Sequence, residues 1–344
     1  MKTLVLCFDG TGNEFRHTGN TNVVRILEGV RRAHDVVTFY EPGVGTFSDP
    51  NASSELRRRW TLLLGLAFGY GIKENIKNAY RFLIDFWEPG DRVFLFGFSR
   101  GAYTARALAG MLATVGLLEP SKRNLVDFAL RIHWKRRTDW ALARRFKREF
   151  ARDVPISFLG VFDTVKTVGA WDALLQGFGK VLRGLRTALP YTASLPNVEA
   201  GYHAVSIDEK RSRFRTNLWF LDPARTDRDR FHQVWFAGVH SDVGGGYSDD
   251  RRLGDITLSW MIDGARANGL AVNDSARPKV VEGDALGKLH NSLLPIWWIL
   301  TWKRRSIPEG SVVHGSVEVR RRNLDYLPVL PDRFTWEEWH SGAG

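Results

Sequence analysis

Short apolar runs that stop abruptly at polar or glycine-rich positions recur along the chain. Thr3–Phe8, Asp91–Gly97, Ile156–Phe162 and Val234–Val239 are such runs, and their length predicts buried β-strands. Val36–Tyr40 is rich in β-branched and aromatic residues, which favour extended backbone, and it predicts a further strand. Because these runs are apolar almost throughout, both faces of the sheet they form are expected to be covered.

The segments between these runs carry apolar residues at helical spacing. Helices are predicted over Thr21–Ala33, Ile72–Trp87 and Ala102–Val115, with one or two basic helices over Ser121–Arg152. Strands that alternate with helices are typical of a mostly parallel sheet with helices on both faces. The pattern therefore predicts the α/β fold class.

Two stretches break this alternation, and no internal repeat or low-complexity linker separates them from the rest. We therefore expect a single domain over residues 1–344 with insertions. Residues 166–200 are a candidate lid insertion, because they hold apolar side chains at helical spacing among basic neighbours, although core packing explains the same stripe. Residues 278–344 mix Trp, Pro and Arg without clean periodicity, and predict an irregular C-terminal extension packed on the same domain.

Composition excludes some classes of protein. Hydrophobic residues make up 44% of the chain and aromatic residues 12%, which is enough for a sizeable core. The single cysteine, Cys7, excludes an intramolecular disulfide and favours a reducing compartment. The apolar run at the N-terminus is too short for a secretory signal, and the longest other run, Leu293–Trp302, is about half of a membrane span. We expect a cytoplasmic protein, with secretion independent of a signal peptide left open.

The net charge is +11, which favours nucleic acid, anionic lipid or anionic substrates as partners. Most of the excess lies in short basic runs, which we expect to be solvated faces and helix ends. The run Lys303-Arg-Arg305, next to Leu293–Trp302, is a candidate for peripheral contact with an anionic membrane; core or dimer contact is the alternative. No zinc-finger or RNA-binding signature is present, so no specific nucleic-acid partner is expected. The oligomeric state stays open.

A serine motif lies where a strand should meet a helix. Gly97–Gly101 (Gly-Phe-Ser-Arg-Gly) fits Gly-x-Ser-x-Gly, with a predicted strand running into it and a predicted helix running out. This is the setting of a nucleophile elbow, in which the serine hydroxyl stands at the carboxyl edge of the sheet. The alternative is an ordinary serine in a tight turn. We favour Ser99 as a catalytic nucleophile, and hence an α/β-hydrolase-like fold.

A serine nucleophile needs a base, and the base needs a carboxylate partner. His240 directly follows a predicted buried strand and precedes a glycine-rich loop; His203 is the rival, although a structural hydrogen-bonding role suits it better. Asp163 ends the strand Ile156–Phe162, whereas Asp242 lies only two residues from His240. Because the carboxyl ends of parallel strands share one edge, Ser99, Asp163 and His240 are predicted to meet. Their order along the chain is that of α/β-hydrolases.

Further residues are assigned from their position near these three. The oxyanion hole is expected to combine the backbone N–H of Arg100 with one from the loop after the first strand, at Gly10 or Thr11. Asp9 is expected to anchor that turn, with cation binding as the alternative. The residues assigned to substrate binding or loop support are Asp9, Phe98, Asp242 and Gly244. No cofactor and no metal site is predicted.

Several motifs together resemble a known family. They are Phe8–Asn13, Gly97–Ala102, Gly160–Val165, His203–Glu209 and Trp235–Tyr247, in that order. On these motifs the chain resembles the uncharacterised α/β-hydrolases that include the catalytic domains of type VI secretion phospholipase effectors. The resemblance implies a Ser-Asp-His triad at Ser99, Asp163 and His240, and an acyl-ester or phospholipid substrate.

The sequence thus predicts a serine hydrolase that cleaves carboxylic esters, with phospholipids among its substrates, through an acyl-enzyme. A peptidase or amidase with the same triad is the nearest alternative, because the triad is common to both. A non-catalytic, basic binding protein on a hydrolase fold is the alternative from another class.

Overall fold

Alternating strands and helices build one central sheet in the computed structural model. The structure describes residues 1–10, 13, 15–43, 71–134, 139–165, 195–211, 214–219, 227–292 and 303–339. The strands are β1 (Thr3–Phe8), β2 (Val36–Glu41), β3 (Arg92–Phe98), β4 (Leu117–Leu118), β5 (Ala151–Arg152), β6 (Phe158–Phe162), β7 (Gly201–Ser206), β8 (Phe231–Phe236), β9 (Ser311–His314) and β10 (Phe334–Glu337).

Helices occupy most of the connections between these strands. They are α1 (Asn22–Gly29), α2 (residues 71–86), α3 (Arg100–Val115), α4 (Val126–Trp134), α5 (Trp140–Phe150), α6 (Asp227–Arg230), α7 (His240–Gly244), α8 (Arg252–Ala267) and α9 (Gly315–Asn323). Short 3₁₀ turns lie at Pro120–Leu125, Asp274–Ala276 and Glu282–Leu286.

Eight strands form the central sheet in the order β2-β1-β3-β6-β7-β8-β9-β10. Every neighbouring pair in this order is parallel. The remaining two, β4 and β5, pair antiparallel as a separate ribbon. The prediction of a mostly parallel sheet is confirmed, and with helices on both of its faces the fold is α/β-hydrolase-like.

The central strands are apolar on both faces because each face carries its own core. In β1, Leu4 and Leu6 pack with the helices α2 to α5, whereas Val5 and Cys7 pack with α1 and α8 on the other face. The side-chain period of two divides a continuous apolar run between two cores, which is why such runs predicted these strands.

The carboxyl ends of β1 and β3 lie at the point where the strand order reverses. β1 pairs with β2 on one side and with β3 on the other, and strands β6 to β10 extend the sheet beyond β3. Open α/β sheets bind ligands in the crevice at such a reversal, outside the carboxyl ends of the strands. The loops after β1, β3, β6 and β8 all emerge at this edge.

The structure differs from the prediction chiefly in the C-terminal third. β9 and β10 extend the sheet, and α9 connects them, where an irregular extension was expected. These strands have four residues each and are only partly buried, so their apolar pattern is too short to show a period. β7 was also missed, because Tyr202 and His203 interrupt its apolar run. Most of the candidate lid (166–194) and the run Leu293–Trp302 lie outside the described residues.

Candidate active site

The turn between β3 and α3 holds Ser99 in strained backbone. Ser99 has φ 58° and ψ −116° and stands as N-cap of α3. Among the described residues, Ser99 and Asp163 (φ 40°) are the two non-glycine residues with positive φ. Strain of this kind persists only where the surroundings enforce it, and it concentrates at functional sites. Both of these residues had been assigned to the triad from sequence.

The two motif glycines let the strand and the helix approach each other. A Cβ on Gly97 would lie 2.6 Å from the Cα of Ala102, and a Cβ on Gly101 would overlap the carbonyl of Phe8. Those neighbours are backbone atoms, which have little room to move. The motif therefore contains glycine at these positions because α3 crosses the ends of β1 and β3 in contact with them.

Asp163 and His240 meet at the same edge. The Nδ1 of His240 lies 2.5 Å from Oδ2 of Asp163, and both side chains are buried. Both oxygens of Asp163 accept hydrogen bonds from other groups as well, so we assign the proton to Nδ1. In that tautomer Nε2 is an acceptor, as a general base requires.

Ser99 lies beside this pair without being bonded to it. Its backbone N–H donates to the carbonyl of Phe162, one residue before Asp163, at 3.0 Å. Within the described residues no hydrogen bond joins Ser99 Oγ to His240. Catalytic hydrogen bonds are often long in ligand-free structures and tighten when substrate binds. Ser99 and Asp163 thus end neighbouring strands at one edge of the sheet, and His240, which follows β8, binds Asp163 there.

A buried arginine also binds Asp163. Arg305 donates from Nη1 to Oδ1 at 2.5 Å and from Nη2 to Oδ2 at 3.0 Å, and its side chain is 6% exposed. The expectation that the basic run Lys303-Arg-Arg305 is a solvated face is wrong for Arg305. Burial alone would raise the pKa of Asp163, but the charge of Arg305 and the hydrogen bond from His240 hold it well below its usual range.

The ring of His240 lies between two phenylalanines. Its centroid is 4.6 Å from that of Phe98 and 4.9 Å from that of Phe214, which meets it edge-on. Phe98 in turn packs so closely on Gly244 that a Cβ there would overlap its ring. Phe98 and Gly244, which the sequence assigned to substrate binding or loop support, therefore contact the site through ring packing.

The loop after β1 lies next to Ser99, but one of its two predicted oxyanion donors, the N–H of Gly10, already has an acceptor. A Cβ on Gly10 would lie 3.1 Å from Cβ of Ser99, so the two residues are adjacent. However, the N–H of Gly10 donates to Oδ1 of Asp9 at 2.7 Å, and in this arrangement it is not available to a substrate oxygen. Thr11 lies outside the described residues. The backbone N–H of Arg100, at the start of α3, stays the first predicted donor.

Asp9 is fully engaged with its neighbours. Oδ2 accepts from the hydroxyls of Thr21 (3.0 Å) and Tyr40 (3.1 Å), in addition to the contact of Oδ1 with Gly10. Burial raises the pKa of Asp9 above its ordinary value, opposed by these hydrogen bonds. The contacts match the expected anchor of the turn.

Asp242 supports the loop that carries His240. It accepts from the N–H of Val239 at 2.9 Å, which caps α7, and from Nδ1 of His290 at 2.5 Å. Burial raises its pKa. Asp242 thus pairs with a second histidine, and Asp163 holds His240.

His203, the alternative base, is fully buried on β7. Its Nε2 accepts from the N–H of Thr164 at 3.1 Å, and its Nδ1 lies 3.1 Å from Oε1 of Gln233. Burial lowers its pKa to about 3, so the ring is neutral at pH 7. These contacts give His203 a structural role next to Asp163.

Sequence reasoning missed three residues that touch this centre. Glu209, fully buried, accepts from the backbone N–H of His240 at 3.3 Å and forms a two-bond ion pair with Arg211. Glu209 lies in a quoted family motif, which was a usable signal. Phe214 and Arg305 lie in segments without any pattern that distinguishes them.

Metal-binding clusters and membrane-spanning helices are both absent from the described part of the chain. Over the described residues, no cluster of three or more His, Cys, Asp or Glu side chains has an arrangement suited to a metal ion. In the same part of the chain, no helix is both long and apolar enough to span a membrane.

Comparison with known proteins identifies the family. The family described as "T6SS, Phospholipase effector Tle1-like, catalytic domain" matches residues 2–264. The chain belongs to this family. All five family motifs quoted above fall within the matched residues, so the family that the sequence resembles is confirmed.

Individual relatives are longer than this chain. The "Uncharacterized protein YEL023C" of Saccharomyces cerevisiae is 36% identical in an alignment 232 residues long, and the match covers 62% of this chain and 32% of that protein. The structure of an uncharacterized protein from Pseudomonas aeruginosa has TM-score 0.46 and 22% identity, covering 81% of this chain and 47% of its own. The Tle1 effector bound to the VgrG spike has TM-score 0.39 and 18% identity, covering 72% and 51%. The chain therefore spans about a third to half of these relatives.

Proposed function

We propose that this hydrolase cleaves carboxylic esters, with phospholipids as its substrate class, through Ser99, His240 and Asp163. The observation that carries the proposal is that the strained Ser99 lies at the same sheet edge as the hydrogen-bonded pair of His240 and Asp163. Family membership supports the phospholipid class. The fully buried Asp163 carboxylate supports a fixed tautomer of His240.

In the proposed reaction, Ser99 Oγ attacks the ester carbonyl while Nε2 of His240 takes the hydroxyl proton. The tetrahedral oxyanion accepts a hydrogen bond from the backbone N–H of Arg100, at the positive N-terminal end of α3. As the intermediate collapses, the bond to the alcohol breaks and His240 returns the proton to the leaving alcohol. Water then attacks the acyl-enzyme with His240 again as base, which releases the carboxylic acid and restores Ser99.

The first experiment is covalent labelling with a fluorophosphonate, read by intact-protein mass. We expect wild type to gain one adduct and Ser99→Ala to gain none, because only an activated serine displaces fluoride at a useful rate. Circular dichroism of both proteins controls for folding. Folded wild type that stays unlabelled, with and without lipid vesicles, would contradict the proposal.

A substrate panel separates esterase from peptidase activity. We expect turnover of p-nitrophenyl esters and of phosphatidylcholine vesicles, and none of the matching p-nitroanilides. Turnover of the anilides without turnover of the esters would favour the amidase alternative. All activity should fall with Ser99→Ala by at least about 10³-fold, the usual effect of removing a triad nucleophile.

A further inference from the structure

Arg305 makes more hydrogen bonds to buried groups than an arginine on the surface usually does. Its guanidinium reaches both oxygens of Asp163, and it also donates to the carbonyl and hydroxyl of Ser206 (2.9 and 2.6 Å) and to the carbonyl of Phe214 (2.9 Å). Ser206 also donates its N–H to Oδ1 of Asp163, at 3.0 Å. Arg305 therefore connects the carboxylate to the end of β7 and to the segment that packs on His240.

The carboxylate of Asp163 has no remaining capacity for hydrogen bonds. Oδ1 accepts from Ser206 and Arg305, and Oδ2 accepts from His240 and Arg305. Four acceptor sites are about what a carboxylate offers. A planar fork with two parallel donors fixes the plane of the carboxylate more firmly than the separate bonds from Ser206 and His240 do.

We infer that Arg305 is a positioning residue for the proposed triad: it fixes Asp163 against His240 and shares the negative charge of Asp163 with it. This inference rests on the proposed function. Because the charge of Arg305 lowers the pKa of Asp163, the buried carboxylate stays charged, and able to orient His240, at acidic pH.

The other charged groups near His240 do not replace Arg305. Glu209 and Arg211 form a closed ion pair, with Arg211 lying 3.7 Å over the ring of Phe214. Asp242, on the same helix as His240, pairs with His290. His203, buried next to Asp163, has a pKa lowered to about 3, chiefly by burial, and carries no charge at neutral pH. Without Arg305, the buried charge of Asp163 would face only His240.

The test compares Arg305→Met, which removes the charge and the fork, with Arg305→Lys, which keeps the charge. The measurement is kcat/KM for p-nitrophenyl butyrate from pH 4.5 to 9. In Arg305→Met we expect the acid limb to move up by about one pH unit, since the buried carboxylate of Asp163 becomes easier to protonate once the charge of Arg305 is gone. In Arg305→Lys we expect an unmoved limb and a kcat about tenfold lower with KM unchanged, because Asp163 is less well oriented.

The matched control is Arg320→Met. Arg320 is also buried, but its Nη1 donates to the carbonyls of Ala285 and Gly287 and not to a carboxylate of the site. Its loss is expected to lower stability and leave the acid limb in place. An unmoved limb in Arg305→Met, or equal shifts in Arg305→Met and Arg320→Met, would overturn the inference.

If Arg305→Met does not fold, Arg305→Lys decides, because a kcat equal to that of wild type would then overturn a positioning role.

Two other outcomes separate this inference from the proposed function. If wild type itself is not labelled at Ser99, the proposed function fails, and the inference with it. Labelled wild type with Arg305 variants that match it in kcat and pH profile counts against Arg305 alone.

Discussion

At the scale of residues, the site depends on two strained positions that the sheet holds in place. Ser99 donates its N–H to Phe162 on β6, and Asp163 donates its N–H to Ala204 on β7 at 2.7 Å. Each residue thus continues the hydrogen-bond ladder of its strand by one step before the chain turns. The ladder supplies the restraint that a positive φ requires in a residue with a side chain.

The first prediction at this scale concerns Gly101. In Gly101→Ala the new methyl group would overlap the carbonyl of Phe8, a backbone atom at the end of β1. We expect a loss of about 1–3 kcal/mol in the free energy of unfolding, typical of overpacking, because α3 must move away from the sheet. Ser99 moves with α3, so labelling by a fluorophosphonate should slow as well. Denaturant unfolding and the labelling rate measure the two effects.

Gly283→Ala is the matched control for this substitution. A Cβ on Gly283 meets no atom within 4 Å, so stability and labelling should stay at the level of wild type. Equal effects of the two substitutions would show that the loss in Gly101→Ala does not come from contact with β1.

The positions of the proposed triad could be assigned from the sequence, but the groups that support them could not. Ser99, Asp163 and His240 each follow an apolar run, and in a parallel sheet the carboxyl ends of all strands share one edge. Their common location could therefore be predicted without a fixed spacing between them along the chain. Arg305 offered no comparable signal, because one arginine in a basic run looks the same whether it is solvated or bound to a carboxylate. The bond from Gly10 to Asp9 was equally invisible, since only a folded turn decides which acceptor a backbone N–H meets.

At the scale of elements, the short helix α7 must be held at both ends. Val239 precedes it, and Asp242 caps it by accepting the N–H of Val239. Asp242 also accepts from the N–H (3.3 Å) and from Nδ1 of His290, which lies on a different segment. His240 is the first residue of α7, so these contacts fix its direction toward Asp163.

The second prediction is therefore that Asp242→Asn lowers activity through α7. An asparagine keeps one acceptor oxygen but turns an NH₂ group toward donors, so a bond to Val239 or to His290 is lost. A buried, charge-assisted hydrogen bond is worth about 1.5–3 kcal/mol, and we expect stability to fall by that order. kcat should fall more than KM rises, because the change moves His240 and leaves the substrate contacts of Ser99 intact. Steady-state kinetics and thermal unfolding measure both.

Asp249→Asn is the control, since Asp249 contacts the other nitrogen of the same ring. Oδ1 of Asp249 lies 3.1 Å from Nε2 of His290, but its side chain is 52% exposed. An exposed pair contributes at most about 1 kcal/mol. A fall in kcat as large as that of Asp242→Asn would mean that His290, and not the cap on α7, controls the site.

Elements were predictable where burial on both faces made the apolar pattern continuous. β1, β3 and β6 lie in the middle of the sheet and are almost wholly apolar, so their runs were evident. β9 and β10 are the last two strands at one end of the sheet, and their half-buried, four-residue patterns resemble those of loops. The same limit explains why the C-terminal extension was expected to be irregular.

At the scale of the whole molecule, three buried histidines make stability depend on pH. Burial lowers the pKa of His133 to about 4, and those of His203 and His314 to about 3. An unfolded chain binds protons at these rings below about pH 6.5, whereas the folded chain does not. Their contribution to stability is thus fully present above pH 6.5 and is lost as the pH falls toward 4 to 3.

The third prediction is a steep loss of stability in this window. Each ring lowers the free energy of unfolding by up to about 1.4 kcal/mol for each pH unit of acidification. Over a few pH units, the combined loss from three rings approaches the whole free energy of unfolding of a typical domain. We expect the unfolding temperature to be nearly constant between pH 7 and 8 and to fall steeply between pH 6 and 4.5. Differential scanning calorimetry at constant ionic strength measures it, and a flat profile down to pH 4.5 would contradict it.

His314→Asn tests whether these rings are the cause. Nδ1 of His314 accepts the N–H of Ser316 at the start of α9, and asparagine is also a favourable N-cap, so the cap is kept while the titrating ring is removed. Loss of the ring stacked on Phe236 should lower the unfolding temperature at pH 7.5. The fall of the unfolding temperature below pH 6 should nevertheless become shallower by about a third, because one of the three rings that bind a proton only in the unfolded chain is gone. His34→Asn, at an exposed position, should leave the slope unchanged. An unchanged slope in His314→Asn would assign the acid sensitivity to other groups.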